Sequence, residues 1–380
     1  MSTPHAIREV LRGVRDPELG SDIVDLGMVR SIDVDVGGHV TVRVALTIAA
    51  CPMRDQIEGD VVRKAGAVPG VSGVTVEIGA MEPEERSALM ERARLRAREN
   101  AAPTRVSPAT RVIAISSGKG GVGKSSLSVN LALAIAARGH RTGILDADIW
   151  GFSIPRMLGL NQRRIEADDE RRIVPIEAQG LQVVSTGLML DDEDTALMWR
   201  GLMLSKALEQ FLRDVAWDPS LAYLVLDMPP GTGDVQMALS RLLPQAELVV
   251  VTTPQLAAQK VATRVADMAR RSHVPVVGVI ENMSGFTTED GRHYEIFGRG
   301  GGAALATDLG VPLLGTIPLD PFVVAGGDTG APVVTAHPDS PAGAAVRTAA
   351  DRLLQIVPPA AEDTCTARVA LLAEQLQRLD

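Results

Sequence analysis

Cysteine is nearly missing from this chain. Its 380 residues hold two, Cys51 and Cys365, far apart in sequence, which excludes a disulfide framework and any four-cysteine metal site built from one chain. The six histidines, His5, His39, His140, His273, His293 and His337, fall at no ligand spacing, so a histidine metal centre has no support either. No apolar run approaches the roughly 18 residues of a membrane-spanning helix, and Met1 to Glu9 contain no secretory core. A cationic surplus is also absent: formal net charge is −9, so no nucleic-acid footprint is expected. The expectation is a cytoplasmic protein of ordinary globular composition, 46% apolar and 22% charged, long enough for two or three domains.

What is present centres on Gly118 to Ser125, Gly-Lys-Gly-Gly-Val-Gly-Lys-Ser, between the apolar run Val112 to Ile115 and a long helical pattern. Strand, glycine loop and helix in that order make a phosphate-binding loop. Gly118, Gly120, Gly121, Val122 and Gly123 let successive backbone N–H groups face one concavity. Lys124 reaches the β- and γ-phosphates, and the Ser125 hydroxyl ligates Mg²⁺. Lys119 is a second lysine in a loop that needs one for its own phosphates. It suits a role across an interface, completing charge stabilisation of a neighbouring subunit's phosphates as an arginine finger does.

Two further loops belong to this chemistry. The run Tyr223 to Leu226 ends at Asp227, where a carboxylate can hold Mg²⁺ or its water shell, and Met228 to Asp234 follow as a glycine-containing loop able to respond to a γ-phosphate. The run Arg141 to Leu145 ends at Asp146-Ala147-Asp148, from which Asp148 is assigned to the attacking water and Asp146 to support. Continuously apolar, β-branched runs recur at Leu181 to Ser185, Leu248 to Thr253, Val276 to Ile280 and Leu313 to Ile317. Alternating with helical stretches, they predict an α/β fold, a doubly wound and mostly parallel sheet with its ligand site at the carboxyl ends of the strands.

Ahead of this domain the spacing predicts a small α+β unit over residues 1–80. It has a helix to about Gly13, alternating strands Val40 to Leu46 and Val74 to Ile78, and a helix from about Arg54 to Ala67 between them. Pro52 fits the first turn of that helix, which would set the Cys51 sulfur near a helix N-terminus where the dipole favours thiolate. On physics alone a lone cysteine reads more readily as a small buried hydrophobe. Residues 81–110 read as a solvent-facing charged helix and a proline-bearing linker, 111–357 as the nucleotide domain, and 358–380 as a tail. Within the tail Val369, Leu372, Leu376 and Leu379 form a helical stripe without the cationic face that a membrane helix needs.

Specific stretches resemble known families. Arg15 to Leu19, Ile23 to Gly27 and Thr47 to Pro52 are similar to the MIP18-like domain of iron–sulfur assembly proteins, with Cys51 on that family's own cysteine. The loop Gly118 to Ser125 resembles the deviant Walker A loop of the SIMIBI class, which includes MinD, ParA and the nitrogenase iron protein. Leu145 to Ile149, Ser153 to Gly159, Trp199 to Gly201, Asp227 to Asp234, Thr252 to Gln255, Glu281 to Ser284 and Glu295 to Gly298 look like the Mrp/ApbC iron–sulfur carriers over about residues 110 to 350. The resemblance implies an ATP- and Mg²⁺-dependent ATPase that acts as a homodimer and passes a [4Fe–4S] cluster to apoprotein clients. Within that family Asn282 contacts adenine, and Ser126 and Pro318 join it as nucleotide contacts. Most members also carry Cys-x-x-Cys after the Glu-Asn-Met-Ser stretch, whereas here Phe286 is followed by Thr287-Thr288-Glu289-Asp290-Gly291. Hydroxyls and carboxylates are hard ligands that suit a cluster poorly, which leaves Cys51 as the candidate iron–sulfur ligand. The alternatives are a cluster-free, nucleotide-gated adaptor and a positioning ATPase of the ParA/MinD sort. The acidic balance and the tail argue against the second, so neither nucleic acid nor membrane is expected as a partner.

Overall fold

The structure, a computed structural model, describes the chain except for residues 1–3, 17–20, 47–52, 83, 87, 90, 93–102, 150, 190–200, 232–233, 273, 289 and 361–380. For 201–205 and 234 it describes the backbone alone. The chain divides into two compact units, Met1–Asn100 and Ala101–Asp380.

The first unit runs α1 (Pro4–Leu11), β1 (Val29–Val34), β2 (His39–Leu46), α2 (Arg54–Gly66) and β3 (Gly73–Ala80). Its three strands lie in that order, β1 antiparallel and β3 parallel to β2. The alternation expected of β2 is real: Val40, Val42 and Val44 are buried against Ile57, Val61 and Ala65, which recur at helical spacing on α2. Sequence reading misses β1. Its register shifts between Val29 and Ser31, and a bulge breaks the period of two that reveals a strand. The charged stretch after Glu82 is less solvent-facing than its composition suggests, because Met81 and the fully buried Leu89 enter this unit's core. The Nε of Arg92 also donates to the Leu26 carbonyl.

The second unit runs β4 (Arg111–Ser117), α3 (Lys124–Ala136), β5 (Thr142–Asp146), α4 (Ile154–Met157), β6 (Glu166–Ala167), β7 (Ile173–Val174), β8 (Ile176–Ala178) and β9 (Leu181–Ser185). It continues with α5 (Gly201–Asp214), β10 (Tyr223–Asp227), α6 (Asp234–Leu242), β11 (Glu247–Thr252), α7 (Leu256–Arg271), β12 (Val276–Thr287), β13 (His293–Tyr294) and α8 (Gly301–Leu309). Last come β14 (Leu313–Leu319), α9 (Pro321–Thr329), α10 (Val333–Ala336) and α11 (Pro341–Ile356). One sheet orders its strands β8-β9-β5-β10-β4-β11-β12, with β14 also on β12. All pairings are parallel except those of the short strands β8 and β13. Burial on both faces follows the pleat. On β4, β10 and β11, Val112, Ala114, Leu224, Leu226, Leu248 and Val250 enter one core layer, while Ile113, Ile115, Tyr223, Val225, Val249 and Val251 enter the other.

Register explains why distant residues meet. Asp227 pairs with Ile115 of β4 on one side and Asp146 of β5 on the other, so the last residues of β5 and β10 and the exit of β4 share one row at the carboxyl edge of the sheet. This is where ligands collect in parallel α/β sheets.

Candidate nucleotide site

At the end of β4 the chain enters the glycine loop pressed against a helix. A Cβ on Gly118 would lie 2.5 Å from the backbone nitrogen of Ala262 in α7, a contact no larger residue tolerates. Gly121 and Gly123 have φ of 78° and 79°, the left-handed region open to glycine at little cost. Gly123 caps α3 with no side-chain cap bond. The free N–H groups of the first turn of α3 are therefore left to an anion, beside Lys124 at its first position.

Lys124 is 6% exposed, with Nζ 2.9 Å from Oδ1 of Asp227 and 3.6 Å from Oδ2 of Asp148. Asp227 is 1% exposed and accepts hydrogen bonds from the hydroxyls of Ser125 at 2.5 Å and Ser128 at 2.7 Å. The Ser125 hydroxyl and the Asp227 carboxylate thus offer adjacent hard oxygen atoms, the donor type that Mg²⁺ takes. Behind them Asp146 is fully buried, accepting from the backbone of Asp148 and Ser153 and from the Ser185 hydroxyl. Loss of hydration is the largest influence on Asp146, followed by the charge of Asp227, and Lys124 opposes them; the carboxyl is pushed up to about 8. Asp148 is raised as well, again chiefly by burial, with Lys124 pulling it back.

A group whose folded pKa lies above its unfolded value holds a proton in the folded chain that it loses on unfolding, so stability falls as pH rises between the two values. The nucleotide-free protein is expected to lose thermal stability between about pH 5 and pH 8 more steeply than Asp146→Asn does. Melting curves across that range check this, and parallel curves for the two proteins would count against a protonated Asp146.

Two cavities open at this edge. One of about 290 Å³ is walled by Gly120 to Ser126 together with Lys119, Asp148 and Pro230. The other, of about 370 Å³, is lined by Asn282, Met283, Pro318 and Val323, and shares Gly123, Ser126, Ser153 and Met157 with the first. Ser126, Asn282 and Pro318 thus fall together beside the loop, in a cavity large enough for a nucleoside. The Asn282 amide donates to the Val122 carbonyl at 2.8 Å. Lys119 turns to Gln255, its Nζ 3.1 Å from the amide oxygen at the start of α7. Sequence reading missed Ser128 and Ser185. Ser128 sits three residues past Ser125 on one helix face, a spacing that could have revealed it; Ser185 is legible only once β9 is known to pair with β5.

Past Asn282, β12 bends through Met283 and Gly285, at φ 58° and 78°, and forms a hairpin with β13 through Phe286–Tyr294 and Thr287–His293 pairs. Its turn is closed by Thr288, which donates its backbone N–H and its hydroxyl to the Arg292 carbonyl and its hydroxyl also to the Asp290 carboxylate. No thiol stands there, and among the described residues no group of histidine, cysteine and carboxylate side chains is arranged to hold a metal. Cys51 lies outside the described residues.

Comparisons with known proteins agree on this chain's kinship. Residues 4–78 match the family described as iron–sulfur cluster assembly protein. A protein of Mycobacterium leprae named iron–sulfur cluster carrier protein is 47% identical, over 92% of each chain. One of the same name from Deinococcus radiodurans is 45% identical over 92% of this chain and 94% of its own. Among solved structures, the nucleotide-binding protein of Archaeoglobus fulgidus in complex with ADP is 31% identical, with a TM-score of 0.50 over 63% of this chain and 91% of that one. Residues 108–354 match the family described as NUBPL iron-transfer P-loop NTPase, and with well over half of its length in that match the chain belongs to this family.

Proposed function

We propose that this protein binds and hydrolyses ATP as a homodimer and uses the cycle to carry iron–sulfur clusters to apoprotein clients. The observation that carries the nucleotide half is the linked set of Lys124, Ser125, Ser128, Asp148 and Asp227 at the mouth of the glycine loop. Carriage of clusters as cargo is supported by relatives of that name along nearly the whole chain. Ser125 and Asp227 would hold magnesium, which would supply neutralisation of phosphate charge. Lys124 leaves Asp227 for the phosphates, and Asp148 orients the attacking water. The nucleoside fills the cavity beside Asn282 and Pro318, with Ser126 at its junction with the phosphate cavity. In the second subunit Lys119 exchanges Gln255 for the neighbour's phosphates.

A second reading, a cluster-free adaptor gated by nucleotide, is favoured by one observation: the hairpin carries hydroxyls and charges at Thr287, Thr288 and Asp290. Cys51 separates the two readings. Two subunits offer two such thiolates, so a cluster held there takes its remaining ligands from an added thiol or a client. Anaerobic reconstitution with iron, sulfide and a small thiol is expected to give charge-transfer absorption in the visible that Cys51→Ala lacks. Wild-type spectra no stronger than protein-free controls would give the adaptor reading its place.

A further inference from the structure

Helix α9 forms one wall of the nucleoside cavity, to which it contributes Val323, Val324, Gly327 and Asp328. An aspartate stands at each of its ends. Asp320, before the first turn, is 8% exposed and fully used: one carboxylate oxygen accepts from the Phe322 N–H at 3.0 Å and the other from the Ala342 N–H at 3.2 Å. An acid there also suits the positive end of the helix dipole. Asp328 lies in the last turn, at the negative end, with no basic residue in that turn. A carboxylate so placed opposes the dipole. Asp328 is exposed, and it accepts no hydrogen bond and forms no ion pair among the described residues. The fold gives this acid no use, and the cavity it lines does.

Its position along the cavity follows from its neighbour. A Cβ on Gly327 would meet the Cγ of Met157 at 3.9 Å, an ordinary contact, so packing admits alanine, the better helix former. Glycine instead leaves the wall beside Asp328 without a side chain. Met157 lines both the nucleoside cavity and the phosphate cavity, so it marks their junction. The sugar of a nucleotide joins its phosphates to its base and lies at that junction.

We propose that Asp328 accepts hydrogen bonds from the ribose 2′- and 3′-hydroxyls of the bound nucleotide, and that this contact makes the site select ribonucleotides over deoxyribonucleotides. The inference rests on the nucleotide reading above. A vicinal diol offers two donors and a carboxylate two acceptors, and hydrogen bonds to an ionised acceptor are the stronger kind. Dinucleotide-binding folds use the same pairing of an acid with a ribose hydroxyl.

Calorimetric titration of the full-length protein with ADP and with 2′-deoxy-ADP, for wild type, Asp328→Ala and Asp328→Asn, tests this. Wild type is expected to bind ADP about tenfold more tightly than the deoxy form, the order of one hydrogen bond to a charged group. Asp328→Ala is expected to bring the two affinities together by weakening ADP more than 2′-deoxy-ADP, the coupling that such a cycle reads. Asp328→Asn, which keeps one acceptor oxygen, falls between. Because the carboxylate is exposed and opposes the dipole, Asp328→Ala is expected to melt no lower than wild type; a lower melting point would give the acid a use in the fold and count against the sugar. A wild type that does not distinguish the two sugars overturns the proposal. So does an Asp328→Ala protein that weakens both nucleotides equally, or neither. A wild-type chain that binds neither nucleotide overturns the nucleotide reading, and this one with it.

Discussion

Lys124→Ala is expected to abolish nucleotide binding and hydrolysis and, in the same protein, to destabilise the empty fold. The first effect follows from removing the point charge on the β- and γ-phosphates. The second follows from what Lys124 neutralises while no nucleotide is there. Asp227 and Asp146 are essentially buried and Asp148 is largely so, and Lys124 is the cation paired with two of them. Removing one member of a buried ion pair costs about 3–5 kcal/mol, less whatever the carboxylates recover by taking up a proton. The loss should therefore be larger at pH 8 than at pH 6. Calorimetric titration with nucleotide and melting curves at the two pH values read both effects. Retained binding would place the phosphates elsewhere, and an unchanged melting point would mean that the carboxylates need no cation.

Lys119→Ala is expected to leave nucleotide affinity near wild type and to lower turnover by about 10³ to 10⁵, the range for a cation supplied across an interface. On its own chain Lys119 contacts the neutral amide of Gln255, an exchangeable partner whose loss is small beside that rate effect. A mixture with Asp148→Asn subunits is the discriminating experiment. If Lys119 acts in trans, each mixed dimer assembles one intact site, with Asp148 from one subunit and Lys119 from the other, and activity partly returns. Heterodimers that stay inactive would return Lys119 to a role within its own subunit.

The sequence made the parallel strands and the glycine loop legible for one reason. Strands such as Val112 to Ile115 and Tyr223 to Leu226 are buried on both faces and read as unbroken apolar runs. The elements it hid are short or irregular. β6, β7 and β13 span two residues each, too few for any period to show. The charged segment after Glu82 hides its anchor because Ala88, Leu89 and Met90 make one short apolar run among charges, too brief for a helical period to announce a buried face. At the site, the residues legible one by one were those whose chemistry is local to a motif, Lys124, Ser125, Asp148 and Asp227. Ser185 and Gln255 contribute through contacts 39 and 136 positions away in the chain, and only the order of strands brings such residues together. Cys51 was singled out by its sequence context, and it lies outside the described residues.

The shared row of Asp146 and Asp227 also limits how this gene can change length. Because side chains alternate across a strand, one codon inserted within β5 or β10 would turn the terminal carboxylate to the opposite face of the sheet. Two inserted codons would restore the face but push the carboxylate about 6–7 Å further out, past the reach of Lys124 and Ser125. Insertions and deletions compatible with activity should therefore collect in the surface connections, such as the β12–β13 turn near Asp290, and spare the interiors of these two strands.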